Sequence, residues 1–346
     1  MRAMLRFGLI GAGNIARTHA AAIRASDRAT LTAVAGGGSA AALAAGAGAR
    51  HHADAAALIA DPEVDAVVLC TPSGVRRGYA VAAAEWGKHV LAEKPIEVGR
   101  ERALALIEAC ERHGVTLGVV FQSRFKPHPA AVRAAVAAGA LGAPVLGSLA
   151  VKWHRPPAYY ASAPWRGTWA LDGGGALINQ AIHGVDQLLW FMGDVARVDA
   201  RTANRLHRGI EVEDTVVAHL EFASGALGVL EATTAAFPGS ARRIELHGTA
   251  GTVALVDDEV AEWALPGGPA RPTDEVSAAT AFARATHVMD DFRWHQRQIE
   301  DFVDAVEQGR RPLVDGREGL RSLELVLAVY ASARTRRSVA VPAVDG

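Results

Sequence analysis

The junction that opens the chain limits its fold more than any other stretch. Leu5-Arg6-Phe7-Gly8-Leu9-Ile10 has the length and apolar character of a short strand. It runs into Gly11-Ala12-Gly13-Asn14-Ile15-Ala16, and an alanine-rich helical pattern follows. Each small residue has a physical task in a strand–turn–helix unit. Gly11 permits the tight turn, Gly13 lets backbone approach a pyrophosphate, and Ala16 allows the helix to pack close to the strand. The helix N-terminus, at Asn14 and Ile15, offers amide donors to phosphate oxygens. Placed directly after a strand and opening a helix, the pattern reads as dinucleotide binding.

Strand and helix signals keep alternating. Leu31–Ala35, Val64–Cys70, His89–Ala92 and Val115–Phe121 read as strands, and Tyr79–Trp86 and Arg100–His113 as helices stopped by Gly87 and Gly114. Such alternation argues for a parallel, doubly wound sheet. Ligands in that architecture bind beyond the strand carboxyl ends, where Thr71-Pro72, Glu93-Lys94 and Gln122 fall. The second strand ends in Gly36-Gly37-Gly38-Ser39, the expected ribose contact. No carboxylate stands there to hold a 2′-hydroxyl and no arginine is adjacent to grip a 2′-phosphate, so NAD and NADP both remain open. Glu93-Lys94-Pro95 has two readings, a solvated surface turn or a lysine held at a strand end beside a nicotinamide. In the second reading the ammonium hydrogen-bonds a substrate hydroxyl and stabilises its alkoxide.

At 346 residues the chain is long enough for two domains, each with its own core. A formal net charge of -1 leaves no electrostatic footprint for nucleic acid or an anionic membrane. Cys70 and Cys110 are too few and too far apart for a disulfide framework or a metal motif. No apolar run reaches the ~20 residues of a membrane span, and a cytoplasmic location is the default expectation.

Gly173-Gly174-Gly175 introduces an almost unbroken apolar run to Met192, with the density of a buried helix. On a 3.6-residue period Asn179, His183, Asp186 and Trp190 share one stripe. Polar groups on a buried helix need partners. A satisfied polar seam is one reading; a site entered through a glycine run is the other, and three polar groups on one line favour it. No further residues at ligand spacing accompany His183 and Asp186, so no metal is expected.

Gly11-x-Gly13-x-x-Ala16, Glu93-Lys94-Pro95 and Gly173-Gly174-Gly175-x-x-x-Asn179-x-x-x-His183-x-x-Asp186 together resemble the Gfo/Idh/MocA family, the glucose–fructose oxidoreductases and inositol dehydrogenases. The resemblance extends to the closing Gln298-Ile299-Glu300-Asp301-Phe302 and Pro312-Leu313-Val314-Asp315-Gly316 segments. It implies an α/β protein: an NAD(P)-binding Rossmann domain over 1–122, and a substrate-binding and oligomerisation domain over 123–346 built on a large, mostly antiparallel open sheet. It also implies hydride transfer between a sugar, cyclitol or similar polyol and NAD or NADP. Lys94 matches the family's catalytic lysine and His183 its catalytic histidine. Asn179 stands where polyol dehydrogenases of the family commonly have aspartate, and looks like the asparagine of the nucleotide-sugar (uronic acid) dehydrogenase-like branch. Arg76 stands where the family pattern after Thr71-Pro72 often has histidine.

In the second half, Pro129–Ala138 reads as a connecting helix and Leu146–His154 as a strand leading to a Trp-, Tyr- and Arg-rich region. Arg124, Trp153 and Arg166 are the expected substrate contacts, with an Arg–aromatic packing cluster as the alternative. Thr215–Phe222 with Ala226–Thr234, and Arg243–His247 with Thr252–Val256, read as hairpins. One face of that sheet is free for a subunit partner, so a homodimer or homotetramer is expected. Pro266–Ala285 reads as a polar loop. Asp291–Glu307 and Arg317–Ala333 read as closing helices, with His295 on the first read either as approaching the site or, as is usual for a lone helical histidine, as structural. The leading expectation is a dehydrogenase in which His183 is the general base, Lys94 binds the reacting hydroxyl and Asn179 positions substrate or imidazole. A glycosidase or lyase using transient oxidation and a non-catalytic dinucleotide sensor are the rivals.

Overall fold

The structure, a computed structural model, describes residues 4–273 and 291–344. Its chain divides into two compact units: 1–97 with 101–122 and 274–319, and 98–100 with 123–273 and 320–346.

The first unit holds strands β1 (Leu5–Ile10), β2 (Ala29–Ala35), β3 (Arg50–His52), β4 (Ala66–Leu69), β5 (His89–Ala92) and β6 (Leu117–Val119). They form one sheet in the order β3-β2-β1-β4-β5-β6, and every pairing is parallel. The strand order reverses between β1 and β4, which makes their carboxyl ends the switch point where such sheets bind ligands. All of β4 and the last four residues of β1 are buried, as both faces of a helix-covered sheet require. Helices α1 (Asn14–Ala25), α2 (Ala40–Ala47), α3 (Ala55–Ile59), α4 (Arg76–Glu85) and α5 (Arg100–Arg112) alternate with the strands. Short β3 and α3 carry too little periodicity for sequence reading, and α2 is so alanine-rich that its faces are indistinguishable by hydropathy.

The second unit contains α6 (Pro127–Ala137), β7 (Pro144–Lys152), α7 (Pro157–Ala161), α8 (Ile182–Met192) and β8 (Val195–Ala203). It continues with β9 (Thr215–Phe222), β10 (Leu227–Thr233), β11 (Arg243–Gly248), β12 (Thr252–Val256), β13 (Glu259–Ala264) and, near the end, β14 (Val339–Ala340). Its sheet runs β13-β12-β11-β7-β10-β9-β8-β14, with β7 and β10 parallel and the other neighbours antiparallel. One face lies under α8, where Gly147 and Gly184 let Met192 and Leu149 approach the opposing backbone. On the other, Leu146, Val217, Leu227 and Val229 are exposed.

The expected single stretch 123–346 for the second domain needs correction. Helix α9 (Arg293–Gln308) belongs to the first unit. Its Ile299, Phe302 and Val303 join Phe7, Leu9, Leu31 and Val68 in one core cluster, with the Phe7 and Phe302 rings 6.1 Å apart. An amphipathic helix goes where its apolar stripe can be buried, whatever its sequence position. The chain returns to the second unit within α10 (Gly316–Thr335). The loop expected over 266–285 lies, from 274 onward, outside the described residues.

Candidate active site

The first unit assembles a dinucleotide cradle. Gly11 turns the chain with a φ of +107°, its N–H donates to Ala35 O at 2.8 Å, and a Cβ there would stand 2.7 Å from Cys70 O. A Cβ at Gly13 would meet no atom within 4 Å, so the space above that backbone is open to a ligand. Asn14 and Ile15 form the first turn of α1, Gly36 bends away from β2 with φ +79°, and Ser39 leads into α2. Pro72 follows Thr71 just past β4. Among the described residues, Thr71 Oγ1 and Gln122 Oε1 are buried without a hydrogen-bond partner. Buried polar atoms are seldom left so, and both lie at strand carboxyl ends. These features fit a bound dinucleotide.

Lys94, half-buried, follows β5. Arg76, itself buried, donates from one terminal nitrogen to Glu93 O and Pro95 O, and from the other to Thr71 O at 2.8 Å. The arginine that replaces the family's histidine thus ties down the backbone on both sides of Lys94. Glu93 was expected among the cofactor contacts. Its carboxylate is buried instead: Oε1 accepts from His19 Nε2 at 2.9 Å and Oε2 from Lys94 N at 3.1 Å. Burial works to raise its pKa, but the His19 hydrogen bond and the charges of His19, His295 and Lys94 outweigh it and hold the group at about 2. His295 packs edge-on to His19 with ring centroids 5.2 Å apart. The nitrogens and carboxylate of His19, Glu93 and His295 lie within 4.8 Å of one another, a metal-compatible grouping that residues so far apart in sequence could not announce. His19 Nε2 and Glu93 share a 2.9 Å hydrogen bond, while among the described residues His19 Nδ1 is buried without a hydrogen-bond partner.

The second unit presents the glycine-led helix, and it departs from the expected single α-helix. Ala176–Ala181 is a π turn, continued by α8 from Ile182. Such wide turns concentrate at functional sites. The glycines explain the distortion. A Cβ on Gly175 would overlap Glu213 O at 1.7 Å, and one on Gly174 would meet Tyr330 Oη at 2.2 Å. Glu213 instead accepts Gly175 N and Leu177 N, each at 2.9 Å, and Tyr330 Oη at 3.0 Å. The glycine run therefore lets its backbone approach the Glu213 main chain and the Tyr330 ring closely. Burial lifts Glu213 to about 7, against the pull of those donors.

Along 176–192, only Asn179, His183 and Trp190 escape burial. Asp186, the fourth member of the stripe, is fully buried and grips Arg124 through two contacts of 2.9 and 2.6 Å. Arg124, 3% exposed and lying over the Trp190 ring, is therefore not a substrate contact. An unpaired guanidinium at that depth would be costly, and the two contacts to Asp186 give it a partner.

Asn179 is set in a network that sequence spacing did not reveal. Its Nδ2 donates to Asp172, while its Oδ1 accepts from Gln180 Nε2 at 2.5 Å and Tyr159 Oη at 3.3 Å. Arg155 donates to Gln180 Oε1 at 3.0 and 2.5 Å, and Arg166 to Tyr159 Oη at 2.5 Å. The two guanidinium groups lie 5.1 and 4.3 Å from the Tyr159 ring centroid, and Arg155 also stands over Trp153. Burial, with the like charge of Arg166, lowers the Arg155 pKa. Among the described residues, no carboxylate pairs with either arginine. Arg155, Tyr159 and Asp172 fall within the Arg- and aromatic-rich region, so composition gave their neighbourhood but not their roles.

Comparison with known proteins shows the family. Residues 5–121 match the oxidoreductase family with an NAD-binding Rossmann fold, and residues 130–254 match the GFO/IDH/MocA C-terminal domain. Inositol 2-dehydrogenase of Rhizobium meliloti is 30% identical over 345 residues, covering 97% of this chain and 99% of that one. The chain belongs to the Gfo/Idh/MocA oxidoreductase family. Another relative, 1,5-anhydro-D-fructose reductase of Ensifer adhaerens, is 29% identical over 98% of this chain and 99% of that one. Among solved structures, the WlbA dehydrogenase from Bordetella pertussis in complex with NADH and UDP-GlcNAcA is 36% identical. It superposes with a TM-score of 0.87 over 98% of each chain. The Gfo/Idh/MocA protein described here thus has an N-terminal NAD-binding Rossmann domain. No helix among its described residues is long and apolar enough to cross a membrane.

Proposed function

We propose that this protein is a dehydrogenase that moves a hydride between a secondary hydroxyl of a sugar, cyclitol or sugar derivative and a nicotinamide cofactor. The observation that carries this reading is the exposure pattern of the glycine-led helix. Along 176–192 only Asn179, His183 and Trp190 are not buried, and the first two carry groups suited to a substrate hydroxyl. When bound, the nicotinamide ring supplies the hydride acceptor. His183 takes the hydroxyl proton as general base, a task suited to a side chain that titrates near neutrality. Lys94, on a backbone pinned by Arg76, binds the same oxygen and stabilises its developing negative charge. Asn179 orients substrate; Asp172 fixes its amide because a carboxylate accepts only from the NH2 side.

The uncompensated pair Arg155 and Arg166 supports a finer reading, an anionic sugar such as a uronate or a sugar phosphate ester. Two guanidinium groups side by side without a counter-ion favour an incoming carboxylate or phosphate. The WlbA likeness supports the same choice, as does Asn179 in place of aspartate. The exposed sheet face around Leu146, Val217, Leu227 and Val229 supports a homo-oligomer, and a cytoplasmic location accords with the lack of a helix long and apolar enough to cross a membrane among the described residues. The test is an assay of reduced-dinucleotide formation with inositols, neutral sugars, uronates and nucleotide sugars. Turnover of uronates or nucleotide uronates above neutral sugars is expected, and exclusive turnover of neutral polyols would contradict the anionic reading.

A further inference from the structure

We infer that the first unit carries a binding site for the 2′-phosphate of an adenine dinucleotide, formed by Arg17 of α1 and Ser39 at the N-terminus of α2. This inference rests on the dinucleotide reading of the cradle and names the member of that class it takes. The sequence left the question open because the β2 end has neither an acidic residue nor a neighbouring arginine. The structure supplies the cation from a different element. Arg17 and Arg24 on α1 face Ser39 and small residues of α2 across a cleft of about 340 Å³, and no acidic side chain lines it. Arg17 leans toward the start of its helix, donating to Asn14 Oδ1 at 3.3 Å, the direction helical side chains favour. That is the end of α1 where the pyrophosphate cradle lies.

Among the described residues neither Arg17 nor Arg24 pairs with a carboxylate. Gly36, Gly37 and Gly38 add no side chain between β2 and Ser39, and a Cβ at Gly38 would meet nothing within 4 Å. An NAD-selective site of this fold places a carboxylate here, which holds the 2′-hydroxyl and repels a 2′-phosphate. This one offers a guanidinium, a hydroxyl and open space, the donor set for a phosphate monoester.

The test is equilibrium binding, by fluorescence titration of NADPH and NADH and by calorimetry with 2′,5′-ADP and 5′-AMP. Proteins to compare are the wild type, Arg17→Ala and Ser39→Asp; aspartate is a good residue at a helix N-terminus, so the second variant keeps its fold. The wild type is expected to bind NADPH at least as tightly as NADH, and 2′,5′-ADP more tightly than 5′-AMP. Arg17→Ala should weaken NADPH by about ten- to a hundred-fold and leave NADH unchanged. Ser39→Asp should shift preference to NADH. Equal effects of Arg17→Ala on both dinucleotides, or a wild type that binds NADH far better than NADPH, would overturn the inference. Failure of the wild type to bind either would overturn the dinucleotide reading beneath it.

Discussion

At the scale of single residues, Lys94, His183, Glu213 and Glu93 lead to separate expectations. Lys94→Ala and His183→Ala are each expected to cut turnover by roughly 10²–10⁴-fold, the range of a lost acid–base group. Titration should show NADH or NADPH binding largely intact. Glu213 makes a different prediction, about pH. Its pKa rises from 4.5 to about 7 on folding, chiefly through burial. The folded state therefore holds its proton more tightly than the unfolded chain does. The stability this contributes is complete below pH 4.5 and is lost as pH rises through 7. Thermal melts across that window should show wild-type stability falling relative to Glu213→Gln as pH rises; parallel curves would show that the carboxyl does not titrate there. Glu93 is the opposite case. Held at about 2 by His19 against its burial, it stays ionised beside Lys94 throughout the working range.

At the scale of elements, the glycine positions separate ligand space from protein space. Gly13→Ala adds a methyl where no atom stands within 4 Å, so the melting temperature should hold while dinucleotide affinity falls. Gly175→Ala adds one onto Glu213 O and should unfold the π turn, lowering both stability and turnover. Arg124→Ala should destabilise by about 3–5 kcal/mol, because it strands the Asp186 carboxylate; a raised KM with unchanged stability would restore Arg124 to the substrate. The strand–turn–helix opening was legible because its periodicity and glycines act locally. The stripe of Asn179, His183 and Trp190 was legible too, since helical spacing largely survives the π turn. Arg124 was misread, and Asp172 and Glu213 were missed, because their roles come from partners between 7 and 62 residues away. Nothing in local spacing encodes those pairings.

At the scale of the whole molecule, the second sheet shows its own division of labour. β9 alternates buried Val216, Ala218, Leu220 and Phe222 with outward Val217, His219 and Glu221. Outward Leu227 on β10 pairs in register with outward Leu146 on β7. If copies of the chain bury this exposed apolar face, light scattering should show a dimer or tetramer, and Leu227→Lys should dissociate it; an unchanged mass would place the interface elsewhere. The central claim, however, is chemical. Its most direct test is the initial rate of reduced-dinucleotide formation for wild type, Lys94→Ala and His183→Ala, with a panel of inositols, neutral sugars, uronates and nucleotide sugars. Turnover by the wild type on at least one anionic sugar is expected, with its collapse in both variants and dinucleotide binding retained. Near-normal turnover in both variants, or product formed without net hydride transfer, would contradict it.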